Sequence, residues 1–148
     1  MLNRRLIGSF IILCTLSLTA GCAVNRATAS LTPGTDLAKI SSLYVVKSTE
    51  DDREINELIK ASLIKRGYTA TTGSDQKPSN KVDVILTYVD KWFWDITMYM
   101  LELTITLRDP NSNFPMAVGN SYHTSLARKS KEEMVEEVLD NIFKATKK

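Results

Sequence analysis

The apolar residues of this chain recur with two periods, and the period changes along its length. Leu43 to Lys47 is a short β-branched run that predicts a strand. It leads into Ser48-Thr49-Glu50-Asp51-Asp52, an acidic segment suited to the positive end of a helix dipole. Ile55, Leu58, Ile59 and Leu63 then recur at spacings of three and four, which predicts an amphipathic helix. Arg53, Glu57, Lys60 and Lys65 face away from that stripe, and Gly67 stands where a helix would end.

After a polar loop with Gly73, Pro78 and Asn80, the segment Val82 to Val89 is apolar on both parities apart from Asp83 and Thr87, as in a strand central to a sheet. Met98 to Arg108 alternates strictly. Tyr99, Leu101, Leu103, Ile105 and Leu107 share one face, and Met98, Met100, Glu102, Thr104, Thr106 and Arg108 share the other. Asp109-Pro110-Asn111-Ser112-Asn113 is turn chemistry, which makes Met116 to Thr124 the second arm of a hairpin. Ser130 and Glu133 have capping-box spacing, and Met134, Val135, Val138, Leu139, Ile142 and Phe143 form the apolar stripe of a final helix. A further strand fits at Tyr68 to Thr72.

These elements predict an α+β domain: one mixed, mainly antiparallel sheet of about four strands, with two helices packed on the face that carries Leu101, Leu103 and Ile105. The other face would be left open, with Met98 and Met100 on it.

The N-terminus follows a different pattern. Arg4 and Arg5 precede an apolar stretch from Leu6 to Leu18, too short for the roughly 20 residues of a membrane span and typical of a secretory signal. The next residues, Leu18-Thr19-Ala20-Gly21-Cys22, resemble the bacterial lipobox. That resemblance implies cleavage before Cys22, a diacylglyceryl group on its sulfur and, as a rule, acylation of the new amino group; two or more chains anchor a protein stably. The expected organisation is a signal peptide over 1–21, a lipidated tether over 22–41 that contains the Pro33-Gly34 turn signal, and a single domain over 42–148. Residue 23 is alanine, not the aspartate that the enteric sorting pattern uses for inner-membrane retention. By that pattern the protein belongs on the periplasmic face of the outer membrane.

Processing also changes the charge and the cysteine count. Losing Arg4 and Arg5 from 19 basic side chains leaves 17 against 17 acidic ones, so the mature chain is neutral and lacks the basic surplus of a nucleic-acid binder. Cys14 leaves with the signal and Cys22 carries lipid, so no disulfide is expected.

No residue set predicts catalysis, a metal or a cofactor. His123 is the sole histidine, in a predicted strand where a surface position is expected. Asp90 and Asp95 have the residue types of an acid pair, but they border an aromatic segment, the commoner setting for such charges. Ser121 and Ser125 lack the G-x-S-x-G context of a serine hydrolase.

The feature that stands out is Trp92-Phe93-Trp94, close to Met98 and Met100. These five residues form the candidate partner-binding surface, because tryptophan combines a large apolar body with one polar N–H and is enriched at hot spots and membrane interfaces. The alternative is that the aromatics fold inward and cap the sheet.

From residue 42 to 147, behind a lipobox, the order of elements resembles that of the small α/β envelope lipoproteins typified by the LPS-assembly lipoprotein LptE. The resemblance implies a non-enzymatic auxiliary subunit that binds an envelope protein or, alternatively, handles lipid or lipopolysaccharide. It carries over no individual residue role.

Overall fold

The computed structural model describes residues 25–145. The expected signal peptide, the lipobox and Cys22 therefore lie outside the described residues. The elements in chain order are β1 (Asn25–Leu31), β2 (Ser42–Val46), α1 (Ile55–Lys65), β3 (Thr69–Gly73), β4 (Val84–Asp95), β5 (Thr97–Arg108), β6 (Pro115–His123) and α2 (Lys131–Ala145). They build one mixed six-stranded sheet in the order β1-β6-β5-β4-β2-β3.

The α+β class, the mixed sheet and the two helices are as expected; the strand number is not. β3 fills the further position anticipated near Tyr68 to Thr72, as the parallel neighbour of β2 across the α1 crossover. β1 lies where a tether was expected. It pairs antiparallel with β6 from Asn25↔His123 to Leu31↔Ala117. Its alternation is muted because Ala27 is exposed and the inward Ala29 is small, so it reads as linker composition although Ala29 and Leu31 pack against the core. Leu37 and Ile40, also inside the expected tether, are buried. Among the described residues the domain thus begins at Asn25, not at residue 42.

Both helices cover the same face. α2 crosses β1, β6 and β5, while α1 lies over β2 and β3. α2 starts with the expected reciprocal cap: the Ser130 backbone N–H donates to the Glu133 carboxylate at 2.8 Å, and the Glu133 N–H donates to the Ser130 hydroxyl at 3.1 Å. α1 ends at Gly67, whose φ of 91° is the left-handed conformation that stops a helix. Gly119 of β6 lets α2 approach, since a Cβ there would sit 2.7 Å from Ile142 Cγ1 and 2.8 Å from Val138 Cγ1. Val84, Leu86, Leu103, Ile105, Leu107, Ile59, Leu63, Val138, Leu139 and Ile142 are fully buried between sheet and helices.

β4 and β5 are the longest strands, at 12 residues each. β2 pairs with β4 only over Val84 to Leu86, and β6 pairs with β5 only from Glu102 onward. Past those limits β4 and β5 continue alone as a two-stranded ribbon closed at Ile96.

Candidate functional site

The ribbon changes register as it leaves the sheet. Lys91 pairs with Glu102, but the next pair is Trp92 with Met100, so Leu101 is an extra residue on β5. Such a bulge reverses the alternation of everything beyond it. Met100 therefore joins Leu103, Ile105 and Leu107 in the core and is 1% exposed. This corrects the expectation that Met100 lies on an open sheet face. Met98, two residues on, shares the side of Met100, whereas Tyr99 and Phe93 alternate away and meet edge to face at 6.1 Å.

The five candidate residues separate into two groups. Trp92 and Met100 are at the root of the ribbon. Trp92 is half-buried against the core, donates its indole N–H to Asp90 at 2.6 Å and carries the Arg53 guanidinium 4.4 Å above its ring. Phe93, Trp94 and Met98 are exposed, Trp94 at 65%. Both alternatives are thus realised, one at each end of the same ribbon.

Two apolar residues at this end were not singled out from the sequence. Ile96 forms the tip, is 86% exposed and has a φ of 62°. A β-branched residue pays about 1–2 kcal/mol for that conformation, and no local pattern signals it. Leu126, in the short turn Ser125–Ala127 that follows β6, is equally open to solvent. The turn is tied to the ribbon by Arg128, whose Nη1 donates to Thr97 Oγ1 at 2.7 Å and whose guanidinium stands 4.7 Å from the Tyr99 ring. Of the eight large apolar residues exposed among the described residues, Phe93, Trp94, Ile96, Met98 and Leu126 make five. Chance scatter would not place most of them at one end of the sheet.

The titratable residues weighed for catalysis do not converge. Asp90 and Asp95 are five residues apart on one strand, about 16 Å, and alternate to opposite faces. His123 is 5% exposed, which corrects the expectation of a surface histidine. Its Nε2 is 2.7 Å from Glu137 Oε2, the atom that also accepts the Ser121 hydroxyl at 2.6 Å. Ser121 and His123 thus share an acceptor instead of forming a nucleophile–base pair. Burial opposes ionisation of Glu137, but hydrogen bonds from Lys129, Ser121 and His123 outweigh it and draw its carboxyl down to about 2. The cluster fastens α2 to β6. Among the described residues no group of three or more His, Cys, Asp or Glu is arranged to hold a metal, and no helix is long and apolar enough to cross a membrane.

A cleft of about 580 Å³ is lined by Leu31, Leu37, Tyr68, Phe143, Arg66 and Asp140 among others, at the opposite end of β1 from Asn25. Arg66 there is tied to Asp140 at 2.7 Å and to Glu136 at the same distance, and Tyr68 stacks on Phe143 at 5.0 Å, so its polar groups are satisfied within the fold.

A six-stranded mixed sheet with two helices on one face and a long projecting ribbon defines the class: a small two-layer α+β domain. No protein-family model and no curated protein matches the chain. Solved structures do. The PelC dodecamer from Paraburkholderia phytofirmans is similar with a TM-score of 0.60 at 12% identity, over 80% of this chain and 98% of that one. The L103M variant of that protein gives 0.54 at 11% identity, over 80% and 97%. A PDZ domain protein from Parabacteroides distasonis gives 0.51 at 11% identity, over 92% of this chain and 38% of that one. At these identities the likeness is one of fold.

Proposed function

We propose that this chain is a non-enzymatic accessory lipoprotein of the cell envelope, attached through lipid on Cys22, on the periplasmic face of the outer membrane. It acts by binding through the tip of the β4–β5 ribbon. The observation that carries the reading is the projection of Phe93, Trp94, Ile96 and Met98 into solvent together, on a ribbon that extends beyond its neighbouring strands. A folded domain gains nothing by exposing that much apolar surface unless something covers it. The partner-binding set becomes Phe93, Trp94, Ile96 and Met98, with Trp92 and Met100 as the residues that hold the ribbon.

A photoreactive residue placed at position 94 of the full-length chain in growing cells tests this, with one at position 114 as comparison. Phe114 is also exposed but stands in the turn at the opposite end of the sheet. Envelope adducts, protein or lipid, are expected from position 94 and not from 114. Position 94 reacting with nothing beyond its own chain would end the binding reading. Mass spectrometry of the mature N-terminus tests the anchor separately: an unmodified Cys22, or a chain starting elsewhere, removes that part.

A further inference from the structure

We infer that the ribbon tip binds the lipid bilayer that holds the Cys22 anchor, so that the domain is attached at two points on one end. The inference rests on the lipoprotein reading above and names what its binding surface covers.

The argument begins with where the chain enters the sheet. Asn25 pairs with His123, Tyr122 of β6 pairs with Glu102, and Glu102 pairs with Lys91. These residues form a row across four strands at the root of the ribbon. Beyond the row the ribbon runs from Trp92 to Ile96, about 15 Å at the rise of an extended strand. The first residue of β1 lies at this same end because β1, β6 and β5 are successively antiparallel. Cys22 precedes Asn25 by three residues, which reach at most about 11 Å. From β1 to β4 is three strand spacings, about 14 Å. A lipid on Cys22 is therefore held beside the ribbon and cannot reach the far end of the sheet. The expected tether of 20 residues would have freed the domain to turn any face to the membrane; a connection of three does not.

The chemistry of this end suits an interface. Trp94, Ile96, Met98 and Phe93 are the residue types that enter the headgroup–acyl boundary, and Leu126 adds a second apolar point on the neighbouring turn. Behind them stand Arg53 over Trp92, Arg128 over Tyr99, and Lys129 and Lys131 at the start of α2. No carboxylate lies within 4 Å of Arg128 among the ion pairs of the described residues, which leaves its charge for a lipid phosphate. Asp95 is the opposing charge at the tip and limits entry to headgroup depth. A protein partner would need to fit between the ribbon and a membrane that is already within reach, which is why lipid is the occupant favoured.

The test uses the lipidated full-length product purified from cells that process it and reconstituted into vesicles of phosphatidylethanolamine with a minority of phosphatidylglycerol. Lipids brominated at defined depths quench nearby indoles. The variants Trp92→Phe and Trp94→Phe each leave one reporter, and Phe114→Trp in a chain with both tryptophans replaced by Phe gives the opposite end. Trp94 should lose most of its emission to bromines just below the headgroups and little to bromines near the chain ends. Trp92 should be quenched far less, and the indole at 114 not at all. Trp94 emission that remains water-like, or quenching equal at 94 and 114, would overturn the inference. So would adducts from position 94 in cells that contain protein and no lipid, an outcome that leaves the binding reading standing. Should Trp92→Phe disturb the ribbon, the parent protein against Trp94→Phe isolates the same signal by difference.

Discussion

Met98 and Met100 have the same side chain, sit two residues apart and, in a regular strand, would occupy equivalent positions on one face. The bulge at Leu101 places Met100 in the core while Met98, nearer the tip, remains 48% exposed. Replacing each with serine separates the two environments. Met100→Ser removes a fully buried thioether side chain and leaves an unpaired hydroxyl, a change expected to cost about 3–5 kcal/mol. Met98→Ser removes a side chain already half in water and should cost about 0.5 kcal/mol. For a domain of this size a loss of 1 kcal/mol lowers the melting temperature by about 3–6 °C. The mature protein, followed by circular dichroism, should therefore melt about 10–30 °C lower with Met100→Ser and within a few degrees of the parent with Met98→Ser. Equal shifts would mean that the ribbon keeps a regular register and that the division into buried root and exposed tip is wrong. Met98→Ser more damaging than Met100→Ser would reverse the assignment of buried root and exposed tip.

Glu137→Gln removes the carboxylate shared by Lys129, Ser121 and His123 and should destabilise the domain by about 2–3 kcal/mol near neutral pH, read by denaturant unfolding. Its folded-state pKa of about 2 lies below the unfolded value of 4.5, so its stabilisation is complete above that value and is lost as pH falls from 4.5 toward 2. The variant should show a shallower acid slope over that window, and an unchanged slope would exclude Glu137 as a contributor. Arg128→Ala should raise amide hydrogen exchange in residues 93 to 99 about ten-fold by removing a hydrogen bond and a cation–ring contact worth about 1.4 kcal/mol together, with the core strands unaffected. Loss of protection throughout the sheet would show that Arg128 supports the whole fold.

The helices and long strands were legible because their burial is one-sided and repeats. Ile55, Ile59 and Leu63 of α1, and Met134, Val138 and Ile142 of α2, are all fully buried, as their spacing requires. β1 was not legible because four of its seven residues in a row, Asn25 to Thr28, are exposed and the first to pack inward, Ala29, offers only a methyl group, which no hydropathy pattern separates from a linker. The bulge was hidden for a related reason. Met98-Tyr99-Met100-Leu101 is apolar at every position, so a one-residue slip there leaves the alternation of Leu103, Ile105 and Leu107 looking intact. At the site, aromatic density pointed to the right hairpin, but it could not divide the residues that hold the ribbon from those that project from it. His123 was misplaced because its acceptor, Glu137, arrives from α2, 14 residues later.

A two-stranded ribbon without neighbours is marginal in water, so its tip can serve as a defined surface only if its root is held. The sequence meets that need within one aromatic segment. Trp92 and Met100 reach back into the core, Asp90 takes the Trp92 N–H, and Arg53 and Arg128 close over Trp92 and Tyr99 from the loops that precede each helix. Trp94 and Met98 follow on the same side two residues further out, beyond the core, and there they are exposed. The single extra residue at Leu101 is what turns both methionines to the side of Trp92: without it Met100 would face away from Trp92 and the ribbon would lose its attachment. Mobility at the tip would spread the apolar residues over many orientations and weaken any contact by the entropy of ordering them. A braced tip avoids that cost, and the same loops that brace it carry the cations that would meet anionic headgroups.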